Sequence, residues 1–230
     1  MSNLSKKQKI IQEKHDPEKT YSLEEAMEII QSVKSVKFDE SLDISVKLGV
    51  DPDKSDQNVR GAVTLPNSLG KEVKVAVFAD GDHASNAQSA GAEFVGMDDL
   101  AEKFQKEEVS VDVVISTNAA MKVVGKLGQV LGPKGLMPNP KTGTVSDDIE
   151  TAINNVKAGQ VRFRTDKNGI IHGSIGKVTF DTDKIKANAS VLLEELKKLK
   201  PASAKGVYIN NIALSSTMGP GIKINTGELI

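Results

Sequence analysis

The chain predicts an α/β protein of mixed α+β character in two domains, one assembled from both chain ends and the other inserted between them. Three observations carry this. Near the N-terminus, Leu42, Ile44, Val46 and Leu48 alternate with Ser41, Asp43, Ser45 and Lys47, the period-two pattern of a half-buried strand. In the middle, Val73–Phe78 and Val111–Ile115 are nearly continuous apolar runs separated by helical stretches, as in a parallel sheet covered on both faces. Between the two regimes lie breaker-rich punctuations, Pro66–Gly70 and Lys157–Gly159. The domains are therefore expected at 1–66 plus 160–230 and at 67–159, with two covalent crossings that suggest a hinge.

In order, residues 1–19 carry Lys6, Lys7, Lys9, Lys14 and Lys19, which suit a short helix or a basic arm. Ser22 and Glu25 have capping-box spacing, and Leu23, Ala26, Met27, Ile30 and Val33 recur at helical period, so a helix should run to about Ser35. The strand 42–48 is followed by turn chemistry over 51–58 and a second strand over 59–65, with which it is expected to pair antiparallel. In the insert, a strand 73–78 leads to a helix over 84–90, Phe94–Val95 is a short strand, 98–106 a helix, 111–115 a strand and about 118–125 a helix. Ser146 is the expected N-cap of a helix bearing Ile149, Ala152, Ile153 and Val156, closed by Gly159. Beyond it, 160–165 is a strand, Asp166–Gly169 a hairpin turn, and 170–172 and 177–180 extended. A helix over 183–199 should turn Ile185, Ala189, Leu192, Leu196 and Leu199 inward, and Pro201 stops it. A strand over 206–214, a glycine-rich turn over 215–221 and a short strand with Ile222 and Ile224 complete the chain.

The stretch 126–145 stands apart. Gly128, Gly132, Gly135 and Gly143 alternate with Pro133, Pro138 and Pro140, so a shaped loop is expected in place of a long helix. It is also apolar and basic, with Lys126, Lys134 and Lys141 and no acidic residue.

Composition narrows the chemistry. There is no cysteine, which removes disulfides, thiolate nucleophiles and cysteine-ligated zinc. No signal-peptide core or membrane-length apolar run is present, so a soluble cytoplasmic protein is expected, with no membrane partner. Net charge is −1, yet residues 71–158 hold 9 basic and 13 acidic side chains and the remainder 21 and 18, so a polyanion would prefer the outer segments. The glycines at 125–135 fit neither phosphate-loop nor dinucleotide spacing, and no nucleophile elbow is present. His15, His83 and His172 are isolated, so no metal site, cofactor or catalytic residue is expected. Asp80, Asp82 and His83 read as a solvated turn. A nucleotide- or metabolite-binding enzyme using the insert is the competing reading and rests on fold alone.

RNA binding needs cations, small hydroxyl-bearing groups and an apolar platform. Lys37, Phe38 and Ser41 supply these at one strand entrance, Arg162 and Arg164 share one strand face, and Ser215–Gly219 add hydroxyls, a methionine and open backbone. Each also has a bland reading as core, solvated face or simple turn.

The motifs Phe38–Ser41, Asp56–Gly61, Leu127–Lys141, Phe163–Lys167 and Ser216–Pro220 together resemble the bacterial ribosomal protein L-one family, in order over nearly the whole chain. The resemblance implies that the insert is Rossmann-like and that the protein is a non-enzymatic constituent of the 50S ribosomal subunit. It implies binding to large-subunit rRNA at the mobile stalk beside the tRNA exit site. Help to deacylated tRNA leaving that site is implied too, as is repression of its own operon by binding the mRNA. Carried over by motif, the rRNA contacts are Lys37, Phe38 and Ser41, then Asp166, Lys167 and His172, then Ser216, Thr217, Met218 and Gly219. Ser41 and Ser216 stand where relatives often carry threonine, which keeps the hydroxyl. Lys134 and Lys141 are expected as secondary RNA or interdomain contacts.

Overall fold

The computed structural model describes residues 6–68, 70, 73–106 and 108–229. In chain order these form helices α1 (Lys6–Lys14) and α2 (Leu23–Val33), strand β1 (Ser41–Leu48), a 3-10 turn at Ser55–Gln57, and β2 (Arg60–Thr64). There follow β3 (Val75–Phe78), α3 (Gly81–Ser89), β4 (Phe94–Gly96), α4 (Asp98–Gln105), β5 (Val113–Ser116), α5 (Met121–Lys126) and α6 (Gly128–Leu131). A 3-10 turn at Pro140–Thr142, α7 (Ile149–Lys157), β6 (Gln160–Arg164), β7 (Ile170–Lys177), α8 (Thr182–Lys198), β8 (Ile209–Ser216), β9 (Gly221–Ile224) and α9 (Thr226–Leu229) complete them. They divide into two compact units, one drawn from the segments up to residue 69 and from 161 onward, the other from 70–160.

In the terminal-halves unit, α2 starts where the Ser22 hydroxyl accepts from the Glu25 amide and the Glu25 carboxylate accepts from the Ser22 amide. Its stripe of Leu23, Ala26, Met27, Ile30 and Val33 is buried. The main sheet has the order β7-β1-β8-β9, with every pairing antiparallel. β1 is central, and Leu42, Ile44, Val46 and Leu48 are at most 2% exposed, so its period-two pattern is realised in full. The expected pairing of β1 with the next strand does not occur. Both edges of β1 are taken by β7 and β8, and β2 joins β6 in a separate two-stranded sheet.

Helix α8 buries Ile185, Ala189, Leu192 and Leu196 in the same core. Leu199 is 37% exposed instead of inward, because the helix ends at Lys198 and Leu199 is only its cap. Asn188, fully buried, donates to the carbonyls of Ile175 at 2.7 Å and Asn67 at 3.1 Å and accepts from the Asn67 amide at 3.0 Å. A buried amide satisfied on both sides fixes the chain just after β2, where it is about to leave this unit.

In the inserted unit the sheet order is β4-β3-β5, all parallel. Alternate residues of the buried β3 serve opposite layers. Val75 and Val77 pack with Ala87 of α3 and Ile149, Ile153 and Val156 of α7. Ala76 and Phe78 pack with Leu100 and Phe104 of α4, Val124 of α5 and Leu131 of α6. Helices on both faces of a parallel sheet explain the continuous apolar runs, and the arrangement is the Rossmann-like layer the resemblance implies.

Several local expectations are corrected. The stretch 126–145 is not a loop throughout: α5 reaches Lys126 and α6 covers Gly128–Leu131. Glycine costs a helix only about 1 kcal/mol per residue. Burial of Leu127 at 1% and Leu131 at 0% exposure offsets that, since each such side chain contributes roughly 1.5–3 kcal/mol. The N-cap of α7 is Asp148, whose carboxylate accepts from the Thr151 amide, while Ser146 Oγ, two residues earlier, accepts from the Asp148 amide. Helix α3 begins at Gly81, ahead of the expected residue 84, and β7 runs unbroken from Ile170 to Lys177, whereas 178–180, expected to be extended, form a turn. Ser215 and Ser216 belong to β8 and not to the turn.

Candidate nucleic-acid interface

The period of β1 decides which of its side chains are available. With Leu42, Ile44 and Val46 inward, Ser41, Asp43 and Ser45 occupy the outer face. Ser41 lies opposite Lys177 of β7, whose ammonium donates to the Ser41 hydroxyl at 3.1 Å. On the other side the chain leaving β8 closes on the same residue. The Ser41 amide donates to Thr217 Oγ1 at 3.2 Å, and the Thr217 amide donates to the Ser41 carbonyl at 3.2 Å. Thr217 Oγ1 also reaches that carbonyl at 3.4 Å. This clamp joins two motifs 176 residues apart.

Two exposed apolar side chains rise beside the clamp, Phe38 at 51% and Met218 at 53% exposure. Phe38 is therefore not core. Glu40, 1% exposed, holds the second of them: its carboxylate accepts from the Met218 amide at 2.9 Å. The Gly219 amide donates to the Ser216 carbonyl at 3.1 Å, and a Cβ at Gly219 would collide with the Ser216 hydroxyl. Ser216 itself is 6% exposed, so its hydroxyl lies beneath the turn and not on its surface. Lys37 is exposed one residue before Phe38.

The Asp166 group sits further along the same face. Asp166 Oδ1 accepts from the amides of Asn168 and Ile170, both at 2.8 Å. Those bonds, the Ile170 amide foremost, hold its carboxyl below the usual aspartate value. Gly169 closes the turn at φ 74°, where a side chain would be strained. Asp166 Oδ2 meets His172 Nε2 at 3.4 Å, and His172 Nδ1 meets Ser45 Oγ at 3.2 Å. Lys167 is exposed in the turn. His172 faces Ser45 across the β1–β7 ladder, so this group and the Ser41 corner share the outer face of one strand.

A carboxylate, a histidine and a serine in a row invite comparison with a hydrolytic triad. The surroundings do not support that chemistry. A triad needs backbone donors aimed at a developing oxyanion, whereas β1 is hydrogen-bonded on both sides and its amides near Ser45 are committed to the ladders. No group of three or more candidate metal ligands occurs among the described residues. Among them no helix is long and apolar enough to cross a membrane.

Sequence reasoning missed Glu40, Lys177 and Ser45. The period-two pattern was a signal for Ser45, since it shares the face of Ser41. Nothing marked Glu40, because an acidic residue among polar neighbours reads as solvated. Lys134 and Lys141 lie elsewhere, both exposed in the inserted unit. Lys141 sits in a stiff turn where Asn139 Oδ1 accepts from its amide at 2.9 Å and Thr144, 1% exposed, accepts from the Asn139 amide at 2.8 Å. Arg164 is exposed and Arg162 half-buried on β6.

The chain is similar to known proteins along its length. Residues 29–220 match the model of the ribosomal protein L1p/L10e family. The chain is 58% identical to large ribosomal subunit protein uL1 of Saccharophagus degradans over 229 residues, covering 100% of this chain and 99% of that protein. It is 57% identical to large ribosomal subunit protein uL1 of Methylococcus capsulatus, again over 100% and 99% of the two chains. The same protein of Cellvibrio japonicus is 55% identical over 229 residues, with 100% and 99% covered. A match of this extent, joined to a fold in which the separated motifs meet at one corner, makes the chain a member of the ribosomal protein L1p/L10e family.

Proposed function

We propose that this protein is a structural, non-enzymatic constituent of the large ribosomal subunit in the cytoplasm, and that it binds large-subunit rRNA at the mobile stalk through the terminal-halves unit. The observation that carries the proposal is the clamp between Ser41 and Thr217, which presents Phe38, Met218 and backbone groups on one rigid corner. Exposed apolar side chains beside fixed hydroxyls suit a sugar edge and its 2′-hydroxyl, which carry shape and RNA identity. Lys37, Lys167 and His172 supply cationic or protonatable groups around them.

Two further roles belong to this reading. The same surface would hold a similarly shaped segment of the operon's own mRNA, so repression is competition between two RNAs for one site. Help to tRNA leaving the exit site would draw on the insert, with Lys134 and Lys141 as secondary contacts.

Filter binding of the full chain to a stalk rRNA fragment at matched salt tests the main site. Thr217→Val removes the clamp's hydroxyl and Met218→Asp places a charge against RNA. Thr217→Val should weaken binding by about tenfold, the order of one hydrogen bond lost from the complex, and Met218→Asp at least as much through charge repulsion, while Lys134→Ala changes it little. Equal losses in all three variants would overturn the assignment.

A further inference from the structure

We propose that Asp80-Gly81, at the turn from β3 into α3, is a self-modification site: the chain there isomerises through a cyclic imide to isoaspartate and so becomes a methyl acceptor for a carboxyl methyltransferase. The site lies in the insert and is independent of the RNA reading of the terminal-halves unit.

An aspartate or asparagine followed by glycine can be attacked by its own backbone. The glycine amide nitrogen adds to the side-chain Cγ, and the missing Cβ leaves both the approach and the backbone rotation open. Such a pair occurs twice in the chain, at Asp80-Gly81 and Asn168-Gly169. Chemistry alone favours Asn168, because an amide loses ammonia more readily than a carboxyl group loses water at neutral pH. The fold reverses that order.

At Asn168 the nucleophile is engaged. The Gly169 amide donates to the Asp166 carbonyl at 3.2 Å, and the amides on either side of it donate to Asp166 Oδ1. The Gly169 carbonyl accepts from the Leu48 amide at 2.9 Å. Gly169 is buried, with the carbonyls of Val50 and Leu48 at 3.3 and 3.4 Å from the position of a Cβ. Swinging its nitrogen onto Asn168 would break the whole turn. At Asp80 nothing comparable holds the chain. Asp80 and Gly81 are both exposed. Asp80 stands at the N-cap of α3, yet its side chain makes no capping bond. Among the described residues neither its carboxylate nor the Gly81 amide has a hydrogen-bond partner. Gly81 has φ 52°, and a Cβ there would meet nothing within 4 Å. The bond that resists rotation of Asp80 is a long one, from the Ala84 amide to its carbonyl at 3.3 Å. Helix α3 has Ala87 as its one buried residue, so its first turn opens at little cost.

The step balances without any redox partner. The Gly81 nitrogen attacks Cγ of Asp80 in its acid form, and the amide proton leaves with the hydroxyl as water. Solvent water then opens the imide at either carbonyl. Opening at Cγ restores aspartate. Opening at the main-chain carbonyl leaves Gly81 joined through Cγ and sets the former main-chain carboxyl free as a carboxylate. That carboxylate takes the methyl group of a sulfonium donor, whose thioether departs. The ester then closes back to the imide with loss of methanol, so repeated cycles return aspartate.

The test is ageing of the full chain at neutral pH, with isoaspartate counted by methyl transfer from labelled S-adenosylmethionine and located by peptide mapping. Methyl acceptance should grow with age and map to Asp80-Gly81, while Asn168 keeps its amide. In urea, where the turn at Asn168 is lost, Asn168 should overtake Asp80. Asp80→Glu keeps the charge and the exposed position, but its longer side chain closes a ring far more slowly, so the signal should vanish. Isoaspartate appearing at Asn168 ahead of Asp80 in the folded chain would overturn the proposal. So would a signal that persists in Asp80→Glu, or methyl acceptance no higher in aged than in fresh protein.

Discussion

In the proposed interface, Glu40 is the buried side chain on which the Met218 turn depends. It touches no solvent-facing ligand, yet its carboxylate is the acceptor for the Met218 amide. Removing that acceptor strands a backbone N–H, which costs about 1–3 kcal/mol, and frees the turn that carries Met218. Glu40→Leu should therefore weaken binding to the stalk rRNA fragment by about tenfold or more, whereas Glu40→Gln, which keeps an acceptor oxygen, should stay within about threefold. Thermal melts of both variants separate loss of the turn from loss of the fold, and equal weakening by the two would show that the hydrogen bond is not what matters. Phe38, Ser41, Thr217 and Met218 were legible as motif residues. Glu40 was not, because burial of a carboxylate is decided by what folds over it. Ser216 was legible as a hydroxyl, but its place beneath Gly219 follows from the parity of β8, one residue out of phase with Ser215.

The turn after β6 is legible at the scale of elements because its residues carry their own instructions. Asp166 accepts from amides two and four residues on, and Gly169 takes the positive φ. With its carboxyl held below 3.8, chiefly by the Ile170 amide, Asp166 stabilises the folded state fully above the ordinary aspartate value. That contribution is lost as pH falls through the lower folded value. Carboxyl NMR should place the Asp166 midpoint below 3.8, and Asp166→Asn should remove this part of the acid sensitivity. Titration at or above the ordinary value would contradict the bonding. Strand pairing was less legible. Period two tells a strand which face is buried but not which neighbour it takes, so β2 was assigned to β1 when its partner is β6. Helix α6 was hidden for a related reason: Gly128 and Gly132 argue locally against a helix, and the burial of Leu131 that outweighs them is tertiary.

The whole molecule keeps two chemistries in two cores. One is built from α2, α8 and the antiparallel sheet, and the other from the two faces of the parallel sheet. The switch from alternating to continuous apolar strands made this division legible, because a sheet open on one face and a sheet covered on both demand different patterns. Calorimetry of the full chain should resolve more than one component, and saturating stalk rRNA fragment should raise only the one belonging to the terminal-halves unit. At a hundredfold excess over Kd the stabilisation is about 2.7 kcal/mol. A single component that shifts as a whole would show one cooperative body. The charge distribution points the same way, since the inserted stretch carries the acidic excess. RNA crosslinking with site mapping on purified ribosomes tests the central assignment most directly. Crosslinks to large-subunit rRNA are expected at residues 37–41, 166–172 and 217–219, and crosslinks confined to residues 126–145 of the insert would contradict it.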